Sequence, residues 1–416
     1  MTSISLRLFI VVTILILSPA CAFSADDPLA EKAAMLHRRM VTIDSHNDTP
    51  LRMQQQGFNM AVRHDPYAEY SKVDFPRMEE GGLDGAFFAV FVSQGPRNEP
   101  GYAKVLSKGM ALFDTLDHVV ERNQKLAGKA TTPEDVVRLK KENRRAVFIG
   151  VENGYLIGRD LSLISTLYLR GTRYITLCHT RNNDICDSST DTTEHGGLSN
   201  FGREVVKEMN HVGMMIDLSH ASDKTVADVL QITAAPVIAS HSCARAVCDN
   251  PRNLSDDLLR AVAKNGGVVQ MCILSDYVKK PPPNPVRDSA RRAVREKYHD
   301  FDGLSDEEMK VARKEWMEVN RRYPAKLAHV SEVADHIDHL VKVAGINHVG
   351  IGTDFDGGGG VEGCFDASEM KNITVELMKR GYSDRDIRKI WGDNLMRVMR
   401  RVTKVADKYK AGCRCS

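Results

Sequence analysis

Short apolar, β-branched runs recur between stretches of helical periodicity along the whole chain, the sequence form of alternating β and α units. Eight runs stand out, at residues 41–43, 85–92, 146–151, 174–177, 213–218, 237–239, 268–273 and 349–351. Their hydrophobicity is continuous rather than alternating, which suits strands covered on both faces. Eight such units predict an α/β fold, the TIM (β/α)8 barrel. Between the seventh and eighth runs, an insertion at 279–327 opens with Lys279-Lys280-Pro281-Pro282-Pro283-Asn284-Pro285 and continues as a charged helix over 286–322. Its charges read as a solvated face, with a rim or lid over the barrel mouth as the alternative. A helix over 383–410 extends the C-terminus and closes the domain.

Length and composition narrow the class. The 416 residues, 42% hydrophobic and 27% charged, can bury a large core, which excludes a disordered chain or a small disulfide scaffold. With 57 basic against 55 acidic residues the net charge is only +2, so the electrostatic footprint of nucleic-acid binding is absent. Residues 1–25 read as an export signal: Arg7, an apolar run over 8–17, then small residues around Ala20-Cys21-Ala22, with processing near Phe23 or Ala25. That run is too short to span a bilayer. Cys21 stands where a lipobox cysteine would, although Ser18 and Pro19 match one poorly. The expectation is an exported chain, periplasmic or secreted, with 26–416 as a single barrel domain and membrane association only if Cys21 is lipidated.

There are nine cysteines: Cys21, Cys178, Cys186, Cys243, Cys248, Cys272, Cys364, Cys413 and Cys415. Export permits disulfides, yet the sequence does not choose among their pairings, and buried free thiols fit equally well. No Cys-x-x-Cys pair occurs, so a thiolate zinc site is not expected.

The chemistry gathers where the runs end, the face on which TIM barrels carry their active sites. The first run leads into Asp44-Ser45-His46-Asn47-Asp48. Side chains two apart in an extended chain point the same way, so His46 and Asp48 can hold one ion together. The third run ends Gly150-Val151-Glu152-Asn153-Gly154, a carboxylate between glycines. The fifth and sixth deliver His220 and His241 from Asp217-Leu218-Ser219-His220 and Ser240-His241-Ser242, and the eighth ends Gly352-Thr353-Asp354-Phe355-Asp356-Gly357. Each residue alone is more often structural or a surface acid; together at strand ends they predict a metal site. The donor count favours two ions, with His46, Asp48, His220 and His241 giving two protein ligands to each and Glu152 bridging, a nitrogen and carboxylate mix that suits zinc. A water shared between the ions would have its pKa lowered toward neutrality, making hydroxide the nucleophile of a hydrolysis. Asp44 and Asp217 are expected to hold neighbouring groups rather than metal, and His336, His339 and His348 to be structural.

At these residues the sequence resembles the membrane (renal) dipeptidase family of the amidohydrolase superfamily, from about Leu36 to Val402, with the motifs above and Arg252-Asn253 in family order. The resemblance implies a zinc-dependent barrel that cleaves dipeptides, tolerates a D-residue at the C-terminal position and in some members opens β-lactam rings. Carried over by position, it implies His46 and Asp48 on one zinc, His220 and His241 on the other, and Glu152 bridging them at the catalytic centre. It further implies His179, in Leu177-Cys178-His179-Thr180, as the histidine that polarises the scissile carbonyl. Arg252 matches the arginine that holds the substrate carboxylate, Asp354 the acid that shuttles the proton, and Tyr277 a tyrosine of the substrate pocket. The chain departs from the family at Asn153, where a second glycine is common, at Asp393 within Trp391-Gly392-Asp393-Asn394, in the segment after His179, and at Cys248, whose disulfide partner is absent.

Other readings stay open at this point: a related amidohydrolase acting on N-acyl amino acids or β-lactams, or a non-catalytic metal-binding barrel. Asp354 argues against the last, because binding alone needs no proton shuttle. The alternative for Arg252 is a weak surface pair with Asp256 or Asp257. The expected partner is a small dipeptide substrate, with no nucleic acid, and a homodimer is left open.

Overall fold

The computed structural model of the chain describes residues 28–301 and 304–412. The export-type segment with Cys21, together with Cys413 and Cys415, lies outside the described residues. Nine parallel strands form one sheet: β1 Ile43–Asn47, β2 Gly85–Phe91, β3 Ala127–Lys129, β4 Arg145–Glu152, β5 Thr172–Thr176, β6 Met215–Asp217, β7 Ile238–Ser242, β8 Val268–Met271 and β9 Val349–Ile351. Eight of them run in the order β1-β2-β4-β5-β6-β7-β8-β9. The chain after β9 closes the ring onto β1, with Asp48 N donating to Phe355 O at 2.8 Å and Asp354 N to His46 O at 3.0 Å. The expected (β/α)8 barrel is thus present, and every one of the eight apolar runs contributes a strand.

The short β3 was not expected, since Ala127-Gly128-Lys129 carries no apolar run. It pairs with Arg145, Ala146 and Val147 of β4, the stretch that β5 leaves free by joining only from Ile149. The first strand lies later than its apolar run, extending through the polar Asp44-Ser45-His46-Asn47. Other strands supply the hydrogen bonds this burial requires: Ser45 Oγ donates across the barrel to Ser240 O of β7 at 2.6 Å and Asn47 Nδ2 to Phe87 O of β2 at 3.1 Å.

Alternation along the strands divides the core in two. Ala86, Phe88 and Val90 of β2 join the shell between strands and helices, whereas Phe87 joins Phe148, Tyr174, Ile43 and Ile238 in a separate cluster. Phe87 stacks on Phe148 with ring centroids 4.8 Å apart and tilts against Tyr174 at 5.2 Å. Gly150 makes room for that tyrosine, because a Cβ there would collide with its ring. Leu395, Met396, Val398, Met399 and Val402 of the helix Asn394–Gly412 complete the same cluster, flooring the barrel at the end opposite the metal-type residues.

Two helical expectations need correction. The insertion is not one helix over 286–322 but a pair, Pro285–Lys297 and Asp306–Arg322. The first stops where His299 and Phe301 adopt positive φ, and Ser305 caps the second through a capping box with Glu308. Arg291 and Arg295 lie 5.1 and 5.5 Å from the Trp316 ring and tie the pair together. The C-terminal helix is likewise interrupted, with a π-helical turn at Lys389–Asp393. Beyond that turn, Asn394 Nδ2 reaches Ile346 O and Val349 O, both at 2.8 Å. The six described cysteines are buried free thiols. No helix among the described residues is long and apolar enough to cross a membrane.

The N-terminal helix Pro28–Arg39 is fastened to the end of the chain by a buried histidine. His37 Nδ1 donates to Gly82 O at 3.1 Å, leaving Nε2 to accept from Thr374 Oγ1 at 2.7 Å, while Trp391 Nε1 donates to that same hydroxyl at 2.7 Å. Burial pushes the His37 pKa down to about 4 from its ordinary 6.5. A base depressed in the fold contributes stability that is fully present above its unfolded value and is lost as pH falls toward the folded one. The stability gap between the wild type and His37→Gln should therefore narrow by about 2 kcal/mol between pH 7 and pH 5. Denaturant melts at the two pH values measure it; a constant gap would show that His37 titrates normally.

Candidate metal centre and active site

Glu152 ends β4 at only 2% exposure, and its two oxygens face different neighbours. Oε2 lies 3.5 Å from His46 Nε2, which is itself 3.6 Å from Asp48 Oδ2. Oε1 lies 3.1 Å from His220 Nε2, 3.6 Å from His241 Nε2 and 3.7 Å from His179 Nε2. His46 comes from β1, His241 from β7, and His220 from the turn after β6, where it adopts φ +69°. Three sets have ligand atoms within 4.8 Å of one another: His46, Glu152 and His241; Glu152, His179 and His220; His46, Asp48 and Asp354. All the expected metal-type residues therefore converge, with Asp354 beside Asp48 and His179 beside His220.

The protein groups leave this cluster incomplete by themselves. His46 Nε2 and Asp48 Oδ1 are buried without a hydrogen-bond partner, and His220 Nε2 and His241 Nε2 face each other at 2.9 Å, where only one proton can lie between them. Three buried carboxylates, Asp48, Glu152 and Asp354, share the same space. Divalent cations satisfy such a set of bare nitrogens and crowded oxygens, and the mixture fits zinc.

Burial opposes the charge of every group here, and the neighbours decide the outcome. Burial pushes His220 well below the usual histidine range, helped by Arg252 and His179, and does the same to His241, helped by His46 and His220. Both rings are thus neutral, the form in which imidazole ligates. Burial works against Glu152 as well, but His46 and His179 outweigh it and hold that carboxylate well below its usual range. His46 is held high despite burial, through Tyr174 and Glu152. Asp48 is raised to about 6 by burial and by Glu152. Burial, then Cys272 and Asp48, carries Asp354 well above the carboxylate range, which favours its protonated form.

Asp354 sits in a tight wrap after β9. Its backbone has φ +58°, and its carbonyl accepts from Gly357 N and Gly358 N at 3.2 and 3.1 Å. Gly357 cannot carry a side chain there, since a Cβ would collide with the carboxylate oxygens of Asp48 and Asp354. Asp356 anchors the wrap by accepting from Thr49 Oγ1 at 2.7 Å and Lys72 N at 2.8 Å.

Arg252 is 4% exposed, and Asp256 and Asp257 are instead engaged by Arg260 and His339. The surface-pair alternative thus has no support. Its Nη2 donates to His241 O at 3.2 Å, its Nε has no partner, and its guanidinium lies 5.3 Å from the Tyr277 ring. Tyr277, on the short helix Ser275–Val278, belongs to this wall of the site. His179 is half-buried, edge-on to Phe91 at 4.7 Å. His336, His339 and His348 are bound to Val278 O, Asp256 and Gly267 O, as structural histidines are. Asp44 accepts from His46 N and from Thr353.

One residue of the site was missed by sequence reasoning and the meaning of another was not read. Tyr174, 2.8 Å from His46 Nδ1, gave no signal, being 128 residues away along the chain. Asn153 did stand out, as a departure from glycine. It keeps the positive φ of +78° and spends its amide on three loops: Nδ2 donates to Val92 O at 3.0 Å, while Oδ1 accepts from Tyr155 N at 3.1 Å and Asn183 Nδ2 at 3.0 Å.

A parallel barrel with buried histidines and carboxylates at its strand ends is a metallohydrolase by class. A model of the membrane dipeptidase family, peptidase family M19, matches residues 30–412. Dipeptidase verJ of Clonostachys rogersoniana is 33% identical over 397 residues, covering 92% of this chain and 90% of its own. Dipeptidase 3 of Macaca fascicularis is 32% identical over 393 residues, covering 92% and 69%. The crystal structure of the probable dipeptidase PvdM from Pseudomonas aeruginosa matches with a TM-score of 0.79 and 31% identity, covering 91% of this chain and 99% of that one. The chain belongs to the membrane dipeptidase family and is an enzyme of the dipeptidase class.

Asn153→Ala should cost more stability than Asn153→Gly, although both lose the same hydrogen bonds. Only alanine keeps the penalty of a side chain at positive φ, about 1 kcal/mol. Chemical denaturation of the two variants measures the order, and equal losses would show that no strain is held at this position.

Proposed function

We propose that this protein is an exported, binuclear zinc dipeptidase that hydrolyses dipeptides with a free C-terminal carboxylate and tolerates a D-residue at that position. The observation that carries the reading is the division of Glu152, with one oxygen toward His46 and the other toward His220 and His241. His46 and Asp48 would hold one ion, His220 and His241 the other, and Glu152 both. When bound, zinc supplies a Lewis acid and a water that is deprotonated near neutral pH. Support for export comes from the signal-like segment 1–25, and for D-residue tolerance from the family likeness.

The remaining steps fall to the chain's own residues. Arg252, buried with its Nε uncommitted, takes the substrate carboxylate through parallel hydrogen bonds, which sets the distance from carboxylate to scissile bond. The Tyr277 ring lies against that guanidinium and limits its movement. Burial lowers the His179 pKa, so the ring is neutral and its Nε2–H donates to the scissile carbonyl oxygen. The Asp354 carboxyl delivers its proton to the leaving amine nitrogen, the role its raised pKa suits.

Elemental analysis of an active, zinc-replete preparation should find two zinc ions per chain; one or none would overturn the binuclear reading. Asp354→Asn should keep both ions yet lose roughly two to four decades of turnover. Loss of zinc in that variant would make Asp354 a ligand instead. Arg252→Ala should lower kcat/KM on dipeptides by about two decades with zinc content unchanged, and dipeptide amides should be poor substrates of the wild type. Equal cleavage of a dipeptide and its amide would remove the carboxylate clamp.

A further inference from the structure

Beneath the candidate metal centre, Asp217 closes β6 and is fully buried. Its carboxylate takes four donors in a divided arrangement. Oδ1 accepts two backbone groups, Ser219 N at 3.1 Å and Ser240 N at 2.7 Å. Oδ2 accepts two hydroxyls, Thr176 Oγ1 at 2.5 Å and Ser240 Oγ at 2.6 Å. Both carboxylate oxygens act as acceptors, so the single hydrogen of the Ser240 hydroxyl lies on the line to Asp217. Ser240 Oγ is also 2.8 Å from His241 Nδ1. With its own hydrogen committed, the hydroxyl can only accept there. His241 therefore carries its proton on Nδ1, and Nε2, the atom facing Glu152 Oε1 at 3.6 Å, is bare.

We propose that Asp217 is a positioning residue that sets the His241 tautomer through the Ser240 hydroxyl, so that Nε2 is ready as a metal ligand before any ion arrives. The inference rests on the reading of His241 as a ligand. Ligating histidines commonly give their second N–H to a carboxylate, which fixes the ring and raises its basicity; here one hydroxyl stands between. The other rings are not set this way. His220 Nδ1 has no hydrogen-bond partner, and His46 Nδ1 meets the Tyr174 hydroxyl, a group that can either donate or accept.

Asp217→Asn tests the relay sharply because the amide can sit in only one orientation. Its carbonyl must stay on the two backbone N–H groups, which cannot reverse, so its NH2 faces the two hydroxyls, which can. Ser240 Oγ then accepts from the amide and turns its hydrogen to His241 Nδ1, which moves the imidazole proton to Nε2 and blocks it. The two backbone hydrogen bonds are unchanged, and those that run through the Ser240 hydroxyl are kept with their direction reversed.

The experiment uses the full chain, stripped of metal and titrated with zinc against a chromophoric chelator, alongside ring-nitrogen NMR of the 15N-histidine-labelled protein. Asp217→Asn should weaken one of the two zinc ions by about 100-fold and move the His241 proton from Nδ1 to Nε2. Ser240→Ala, which removes the relay without forcing the wrong tautomer, should weaken that ion by about 10-fold. The double variant should return to the Ser240→Ala level, a rescue that mere structural damage would not give. Thr176→Val should leave both affinities within about threefold. Wild-type zinc affinity in Asp217→Asn with the proton still on Nδ1, or in Ser240→Ala if the first variant fails to fold, overturns the relay. His241→Ala that keeps both ions overturns the ligand assignment instead.

Discussion

Glu152 holds its negative charge at 2% exposure, and the mouth of the barrel is arranged around the need to meet that charge. A carboxylate in so dry a place is stable only where donors or cations surround it. Here the surroundings are imidazoles from β1, β7 and the turn after β6, with His179 behind them, so one buried acid obliges four segments of the chain to converge. The same constraint reaches Asp48 and Asp354, which share the space and are forced toward their protonated forms. Ligand geometry and proton storage are therefore two results of a single electrostatic condition.

That condition is transmitted downward by hydroxyls rather than by further charges. Tyr174 belongs to the aromatic filling of the barrel, tilted against Phe87, yet its hydroxyl touches His46. Ser240 does the same between His241 and Asp217, whose carboxylate Thr176 also holds. The interior thus passes from an apolar floor through a layer of directed hydrogen bonds to the ionisable mouth, and each layer fixes the rotamers of the one above.

The barrel was largely legible in the sequence because strands covered on both faces write themselves as uninterrupted apolar runs. The metal-type residues were legible because they follow those runs directly, as His46, Glu152, His241 and Asp354 do. What escaped has a common cause. β3 is held by backbone pairing to Arg145–Val147, and Ala-Gly-Lys has no side-chain pattern to announce it. Tyr174 acts through a contact fixed only once the ring has closed, and in the sequence it looks like an ordinary strand residue; the neighbour-holding role expected of Asp217 was legible, whereas its link through Ser240 to His241 was not. The π-helical turn at Lys389–Asp393 leaves the helical periodicity nearly intact, so a continuous helix was the natural reading. Asn153 lay between these cases, visible as an oddity whose meaning needed Val92 and Asn183 beside it.

The helix that floors the barrel lies at the far end of the chain from the first strand it seals. Leu395, Met399 and Val402 join the cluster that contains Ile43, and His37 is fastened to Thr374. During synthesis the chain emerges in one direction, so the first strand is made long before the floor that covers it. Until residues near 402 have left the tunnel, the barrel can gather strands but cannot cover their lower ends, and its apolar filling stays accessible to chaperones. Completion of the fold therefore waits on the helix Asn394–Gly412, however early the strands are made.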